Sequence, residues 1–307
     1  MTVHRLDPAP GNVVDVFAPD QSPVLEVQPG DTVVVRSLDA SGCLQPHRHP
    51  GDRPATMFAS SRGHCLTGPI AVAGAEPGRT LAIHLQAMRP DNWGWTVAGG
   101  NDTPLNRRLG LLDTEPSWLL WSLDPDAGTG IDQSGRQVRL APFLGVLGVP
   151  PPEAGEHSTI PPRAVGGGNI DCRSLVAGTT LYLPVTVPGG LLSIGDGHAA
   201  QGDGEVSGTA IECPMTTTLS IDLVDTVPTP GIHADTPSGR VTFGFSADLN
   251  EAMFDALQAM IGWMGLIFDV DAGTAAALAS TAVDLRITQV VNRMWGVHAV
   301  LAHDAIR

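Results

Sequence analysis

The stretch "GTTLYLPVTVPGGLLSIGDG" (residues 178–197) alternates apolar with small or polar side chains on both sides of a Pro-Gly-Gly turn. This period of two, in a segment rich in Val, Leu and Thr, predicts two β-strands. A longer alternating run, "EVSGTAIECPMTTTLSIDLVD" (205–225), predicts another strand. The region 169–228 is therefore expected to consist of strands, and it sets the fold as mainly β.

The regions that precede it also show β patterns. Residues 1–90 contain two further alternating segments around Pro-Gly turns at 29–30 and 77–78. The first of these turns, within "SPVLEVQPGDTVVVRSLDA", is expected to close a hairpin. Residues 91–168 are mixed and end in a long loop, 147–168, which we expect to cross between lobes.

The C-terminal region changes to helical spacing. "LNEAMFDALQAMIGWMGLIF" (249–268) predicts a helix with Asn250 as its N-cap, and its apolar middle predicts burial against the sheet or at a subunit interface. A second helix is expected to begin near Ala272 and to run into a short strand. The fold class is thus mainly β with a smaller α+β part and C-terminal helices. We expect an N-terminal β-rich lobe, 1–168, intertwined with a second part, 169–307.

Composition excludes several classes of protein. The 36 glycines and 26 prolines exclude a helical bundle, and the net charge of −15 argues against nucleic acid and anionic membranes as partners. No run of 18 apolar residues predicts a membrane span. The N-terminal residues lack a hydrophobic signal core, and the four cysteines show no CxxC spacing. We therefore expect a cytoplasmic protein with reduced thiols.

The chain contains no lysine, so all 17 basic residues are arginine. This excludes the Cys-Glu-Lys and Ser-Ser-Lys triads of some amide-hydrolysing families, and it excludes a lysine Schiff base. The chain also lacks a GxSxG motif and a recognisable catalytic cysteine. Chemistry that depends on these nucleophiles is not predicted.

The segment "GDGHAAQGDGE" (195–205) concentrates candidate ligands on a glycine-rich backbone. Asp196 and His198 are two residues apart, as are Asp203 and Glu205, so each pair faces one way on an extended chain. The intervening glycines are expected to adopt positive φ and to bring two short arms together. Carboxylate and imidazole together suit a divalent cation such as zinc. A solvated surface turn is the alternative.

Two other places offer candidate residues. Asn169 and Asp171 in "GGGNIDCR" are two residues apart, and Asp171 is expected to be a further cation ligand or a partner of an imidazole, with an Asx turn or cap as the alternative. His47 and His49 in "PHRHP" are spaced to chelate, and His64 in "RGHCLTGP" precedes a predicted strand.

Several of these motifs occur in one order: "LTGPIAVAGAEPGRTLAIHL", then the long block that starts "EHSTIPPRAVGGGNIDCR" and ends "GDGHAAQGDGEVSGTAIECP", then "AVDLRITQVVN". From about residue 26 to the C-terminus the sequence resembles the acetamidase/formamidase family. The resemblance implies sandwich and barrel-like β lobes, an oligomeric assembly (a homodimer or higher), and hydrolysis of small aliphatic amides to a carboxylate and ammonia. It also associates metal with the 195–205 segment.

At the positions that match the family pattern we expect the following roles. Metal ligation is assigned to His64, Asp196, His198 and Asp171; catalysis to Glu205 as general base and acid, with Asp203 as the alternative base if Glu205 ligates; and amide binding to Asn169, Gln201 and Asp39. Asp39 is alternatively a supporting residue of the metal shell. With lysine and the usual nucleophiles absent, metal-activated water is the expected mechanism, with zinc as the expected ion and calcium as the alternative.

Two stretches, 43–62 and 91–146, depart from the family pattern, so the acyl group of the substrate stays open. A second class of function is also open. A β-rich protein that binds a small amide, with a structural cation such as calcium, fits the same residues without catalysis.

Overall fold

Two large β-sheets form the framework of the structure, a computed structural model that describes residues 1–307. Strands contain 40% of the residues and helices 12%, which confirms the mainly-β class with C-terminal helices. In chain order the elements are β1 (Val3–Leu6), β2 (Val13–Val14), β3 (Val16–Phe17), β4 (Leu25–Val27), β5 (Thr32–Ser37), β6 (Leu66–Val72), β7 (Thr80–Pro90), β8 (Trp93–Ala98), α1 (Pro104–Arg108), β9 (Ser117–Asp124), β10 (Thr129–Asp132), β11 (Gln137–Arg139), β12 (Phe143–Gly148), β13 (His157–Ser158), β14 (Gly167–Asn169), β15 (Thr180–Pro184), β16 (Leu192–His198), β17 (Glu212–Cys213), β18 (Met215–Val224), β19 (His233–Thr236), β20 (Gly239–Ser246), α2 (Leu249–Phe268), α3 (Ala272–Ala282), β21 (Val283–Gln289) and β22 (Trp295–Ala302).

The two sheets share one hydrophobic core. A nine-stranded sheet runs in the order β1-β5-β18-β7-β15-β19-β20-β22-β21. An eleven-stranded sheet contains the path β11-β10-β9-β8-β17-β16-β12-β14, with β6 joined to β16 and also to β2 and β4. Buried side chains of both sheets, such as Ile83 and Leu144, belong to the same apolar cluster. Both sheets contain strands from before and after residue 168, and the division at that residue stays a prediction.

The hairpin expected at Pro29–Gly30 is wrong, because the two strands that flank this turn belong to different sheets. β4 pairs in parallel with β6, whereas β5 pairs with β1 and β18. Gly30 has φ +84°, and its N–H donates to the carbonyl of Ile221, so the turn is a corner that passes the chain from one sheet to the other. The Pro77–Gly78 turn connects β6 to β7 and also changes sheet.

The predicted C-terminal helices are confirmed, and α3 leads directly into β21 as expected. The N-cap of α2 is Asp248 rather than Asn250, because the Asp248 carboxylate accepts the free N–H groups of Asn250 and Glu251. α2 lies directly on β20, where a Cβ on Gly244 would collide with the Ala252 carbonyl. No single helix is long and apolar enough to cross a membrane, and α2 and α3 meet that test only as a pair bent by 106°.

Two fully buried histidines pack in the protein interior in their neutral form. His233 stacks on Tyr182 with ring centroids 4.6 Å apart and lies against Trp263. His298 faces Thr288, with Nδ1 and Oγ1 2.8 Å apart. Burial lowers the pKa of each imidazole from 6.5 to about 4. Protonation of either ring would place an unpaired charge in the core.

These shifts predict a loss of stability in mild acid. Because the native pKa lies below the unfolded one, the unfolded chain binds the proton first, and the free energy of unfolding falls between pH 6.5 and pH 4. Each histidine contributes a loss on the order of 3 kcal/mol across that window. The His233→Phe variant keeps a stacked ring without the titration, so its denaturant-unfolding free energy should fall less steeply. His49→Gln, at an exposed position, is the matched control, and a slope equal to that of His233→Phe would contradict the assignment.

Candidate active site

An imidazole between two carboxylates forms the centre of a buried polar cluster. Asp196 and His198 lie on β16, and Glu212 on β17 is the register partner of His198. Partners across an antiparallel pair share one face of the sheet, so all three side chains meet. His198 Nε2 is 3.3 Å from Asp196 Oδ1 and 3.3 Å from Glu212 Oε2.

Two more carboxylates reach the same imidazole from loops. The ligand atoms of Asp171, which follows β14, and Glu205, which follows the glycine-rich segment, lie within 4.8 Å of each other and of a His198 nitrogen. Asn292 Nδ2 donates to Asp171 Oδ2 at 3.1 Å. The Glu205 loop is held by the end of β21, because the N–H of Gly204 donates to the Thr288 carbonyl. The C-terminal segment therefore fixes both loop carboxylates.

Backbone strain is concentrated in this cluster. Asp171, Asp196 and Glu205 have φ of 52°, 58° and 45°, values that residues other than glycine rarely adopt. Such conformations cost on the order of 1 kcal/mol each and persist where the surrounding structure enforces them. Three such residues around one imidazole indicate that the placement of the carboxylates is fixed by the fold.

The glycines of the segment serve two purposes, because one of them takes positive φ and two others permit close packing. Only Gly204, with φ +99°, takes that conformation. Gly195 and Gly197 lie in β16, where a Cβ would stand 2.9 Å from the Cys65 carbonyl oxygen or 2.6 Å from that of Cys213. Small residues here let three strands approach and bring the side chains of the alternate positions together.

Gly145 of β12 forms the floor of the cluster. A Cβ at this position would collide with Asp196 Oδ2, and it would lie 2.8 Å from Asp171 Oδ1 and 2.9 Å from His198 Cε1. The absent side chain leaves the space in which these groups face one another. Any residue larger than glycine would fill it.

Gln201 orients the central imidazole. Its Nε2 donates to the Asp171 carbonyl at 2.8 Å, which directs Oε1 toward His198 Nδ1 at 2.9 Å. The Nδ1 atom therefore carries hydrogen, and Nε2 faces the carboxylates. A hydrogen-bonded Nδ1 and an inward Nε2 are the arrangement found in histidines that ligate metals.

Three buried atoms in the cluster lack a hydrogen-bond partner: Asp171 Oδ1, His198 Nε2 and Glu212 Oε2. Unsatisfied buried polar atoms are costly, and they are rare in native structures. One imidazole nitrogen and several carboxylate oxygens within reach of one another form a donor set that fits a divalent cation.

The protonation of the cluster follows from its crowding. Burial, followed by the charge of neighbouring carboxylates, raises the pKa of Asp171 and Glu205 well above the ordinary range, and raises that of Glu212 to about 7. Burial opposes a charged imidazole, but Glu212 and Asp196 outweigh it and raise the pKa of His198. Burial likewise opposes ionisation of Asp196, but His198 and His64 outweigh it and lower the pKa. Burial and crowding thus raise the pKa of three carboxyls beside Asp196, whose own pKa is lowered.

Comparison with known proteins identifies the relatives of this chain. The profile of the Acetamidase/Formamidase family matches residues 6–156 and 152–301. The chain belongs to this family. This membership confirms the resemblance read from the sequence and the expected class of enzyme, a hydrolase of the carbon–nitrogen bond of linear amides.

Family relatives match over most of the chain. A putative formamidase of Schizosaccharomyces pombe is 27% identical over 301 residues, which cover 77% of this chain and 73% of that protein. The formamidase of Methylophilus methylotrophus is 28% identical over 64% of this chain, and the match spans only 60% of that protein. The crystal structure of an acetamidase from Bacillus halodurans superposes with a TM-score of 0.84 at 27% identity, covering 97% of each chain.

Within this amidase-family fold, four of the predicted residues lie in the cluster itself: Asp171, Asp196, His198 and Glu205. His64 lies at its border, with Nε2 3.9 Å from Asp196 Oδ2 and Nδ1 3.1 Å from Thr159 Oγ1. Gln201 contacts the cluster through His198.

The other predicted residues lie further out. Asn169 is buried and donates to the Ile160 carbonyl, and its Oδ1 has no partner. Asp203 is exposed and lies outside the buried cluster. Asp39 accepts hydrogen bonds from the Cys43 N–H and the Trp95 indole.

Sequence reasoning missed Glu212, Asn292 and Gly145. Glu212 and Asn292 stand in the motifs "AIECP" and "TQVVN", but nothing local marks them as site residues. Glu212 reaches His198 only through strand register, and Asn292 reaches Asp171 across 121 positions of sequence. An acidic residue next to the 195–205 segment on an alternating strand was the one available signal for Glu212.

The close packing around Gly145 predicts that a larger residue at this position will disrupt the cluster. Gly145→Ala should displace the Asp196 and Asp171 carboxylates, lower the free energy of unfolding by about 1–3 kcal/mol, and reduce kcat/KM for amide hydrolysis at least about 100-fold. Ammonia release and thermal unfolding measure the two effects. Gly202→Ala is the control, because a Cβ there meets nothing within 4 Å. Full activity in Gly145→Ala would refute the packing described.

Proposed function

We propose that this chain hydrolyses small aliphatic amides of the formamide or acetamide type to a carboxylate and ammonia, at the cluster around His198, with water activated by a divalent cation. The observation that carries the proposal is the group of buried, unpartnered donor atoms on Asp171, His198 and Glu212. Relatives named formamidase and acetamidase support the class of substrate.

Asp196, His198 and Glu212 form the set of ligands best placed to hold the cation, with Asp171 beside them. When bound, a divalent cation lowers the pKa of water and polarises an amide carbonyl. The nitrogen ligand at the centre favours zinc, since calcium prefers a shell of oxygen atoms alone. This preference argues against the alternative of a purely structural calcium site.

Glu205 is the best-placed proton carrier. Its carboxyl lies beside Asp171 in a buried site, and burial together with the charge of Asp171 raises its pKa well above the ordinary range, so it binds a proton more readily than a free carboxyl. In the proposed reaction Glu205 takes one proton from the attacking water as the new carbon–oxygen bond forms. It returns that proton to the amide nitrogen as the carbon–nitrogen bond breaks and ammonia leaves.

Asn169 and His64 are proposed to orient the substrate. Asn169 Oδ1 is buried and free to accept an amide N–H, and His64 borders Asp196 with a side chain that is 15% exposed. Asn169 is held by its pairing with Val146 on β12, and His64 is held by Thr159, whose Oγ1 accepts the His64 N–H. Orientation by fixed polar groups lowers the entropic part of the barrier.

The proposal predicts metal-dependent turnover. Protein stripped by a chelator should release no ammonia from formamide or acetamide, and activity should return on addition of zinc. Ammonia release that persists in protein verified as metal-free by elemental analysis would remove the cation from the mechanism. If the zinc-loaded protein releases no ammonia but its melting temperature rises with added amide, the binding-protein alternative stands instead.

The choice between Glu205 and Asp203 as base predicts a contrast between two matched variants. Glu205→Gln should lower kcat by about 10²–10⁴-fold while metal remains bound, because the amide cannot exchange the proton. Asp203→Asn removes an exposed carboxylate two residues away and should retain the activity of the parent. The reverse pattern would assign the base to Asp203, and unchanged activity in both would exclude this loop from proton transfer.

A further inference from the structure

We propose that Asp39, Cys43 and His47 form a second metal site, for zinc or a similar borderline cation, separate from the His198 cluster. We name these three residues the Cys43 site. They lie in the loop that follows β5, mostly in the stretch 43–62 that departs from the family pattern. His49 lies outside this group, because its side chain is 81% exposed and its Nδ1 is 3.6 Å from Asp52 Oδ2.

The spacing of the donor atoms suits one ion. The ligand atoms of the three residues all lie within 4.8 Å of one another, and Cys43 Sγ is 3.7 Å from His47 Nε2. Zinc bonds of about 2.3 Å to sulfur and about 2.0 Å to nitrogen, at a tetrahedral angle, place those two donors about 3.5 Å apart. Thiolate, imidazole and carboxylate together are ligands that select borderline cations over calcium or magnesium.

The surrounding groups hold the donors in place. Asp39 is fully buried, with Oδ1 accepting the Cys43 N–H at 2.6 Å and Oδ2 accepting the Trp95 indole N–H at 2.7 Å. Each carboxylate oxygen keeps a further lone pair. The His47 ring packs against Trp95 and Trp118, with centroids 5.5 Å and 5.3 Å away. Hydrogen bonds and packing of this kind orient ligands around metals.

A cavity of about 630 Å³ adjoins the site and is lined by Cys43, His47, Trp95 and Trp118. Three protein donors beside an open space leave a fourth position for water or a small ligand, as in exchangeable metal sites. The charges also balance. A divalent cation displaces the Cys43 proton to solvent, and the thiolate and the Asp39 carboxylate together neutralise it.

The two sites differ in their donor atoms, which makes the second one separately measurable. The His198 cluster offers only oxygen and nitrogen, whereas the Cys43 site adds sulfur. They are neighbours in the fold, because Trp95 is the register partner of Glu212. A sulfur-specific signal therefore reports the Cys43 site whatever happens at the other cluster.

The test uses reduced, metal-stripped full-length protein titrated with cobalt(II). The wild type should show a near-ultraviolet sulfur-to-cobalt charge-transfer band, and it should hold one more equivalent of zinc by native mass spectrometry than Cys43→Ser. His47→Gln should also lose the band, and Trp95→Phe should weaken cobalt binding by about 10–100-fold, because it removes the donor that orients Asp39. Cys65→Ser changes a neighbouring buried thiol outside the site and should keep the band.

The outcomes decide the proposal without reference to activity. Absence of the band in the wild type at saturating cobalt would overturn it, and this result does not depend on any variant folding. A band that survives in Cys43→Ser, or one lost only in Cys65→Ser, would also overturn it. Failure of the proposed amide hydrolysis would leave these readings unchanged.

Discussion

The crowding of four buried carboxylates around one imidazole is the constraint on which the rest of the structure depends. Asp171, Asp196, Glu205 and Glu212 would repel one another if all were ionised in a site that excludes water. His198 lies between these carboxylates, and protons bind to some of them. Both effects reduce the repulsion. A bound cation would lower the electrostatic free energy of these crowded carboxylates, and this is the physical basis for a cation there.

Maintaining such a cluster requires a rigid frame, and several features supply one. Adjacent strands β12, β16 and β17 determine the register of the central residues. Gly145 leaves space for the side chains of Asp196, Asp171 and His198, and left-handed backbone at Asp196 and Glu205 directs their carboxylates. The strain and the repulsion are offset elsewhere, by the extended core between the two sheets. The core between the two sheets thus stabilises the fold enough to tolerate the strain at the site.

Alternation in the sequence was enough to predict the mainly-β class, the strands around residue 195 and the two helices, because these depend on local periodicity. It was also enough to place Asp196 and His198 on one face. Strand pairing was not predictable in the same way: the turn at Gly30 has the residues of a hairpin, but β4 and β5 find partners far away in sequence. Glu212 and Asn292 belong to the site through such distant pairings. The glycines were recognised as necessary, yet their reason is steric at Gly195 and Gly197, which only the packing reveals.

The dependence of Asp171 on Asn292, and of the Glu205 loop on the end of β21, has a consequence for biosynthesis. Translation delivers Asp171, Asp196 and His198 long before residues 288–292 leave the ribosome. Until those residues emerge, the Asp171 and Glu205 loops lack the contacts to Asn292 and Thr288 that hold them in the folded protein. The site is therefore complete only after residues 288–292 have been made and have paired back onto the two loops.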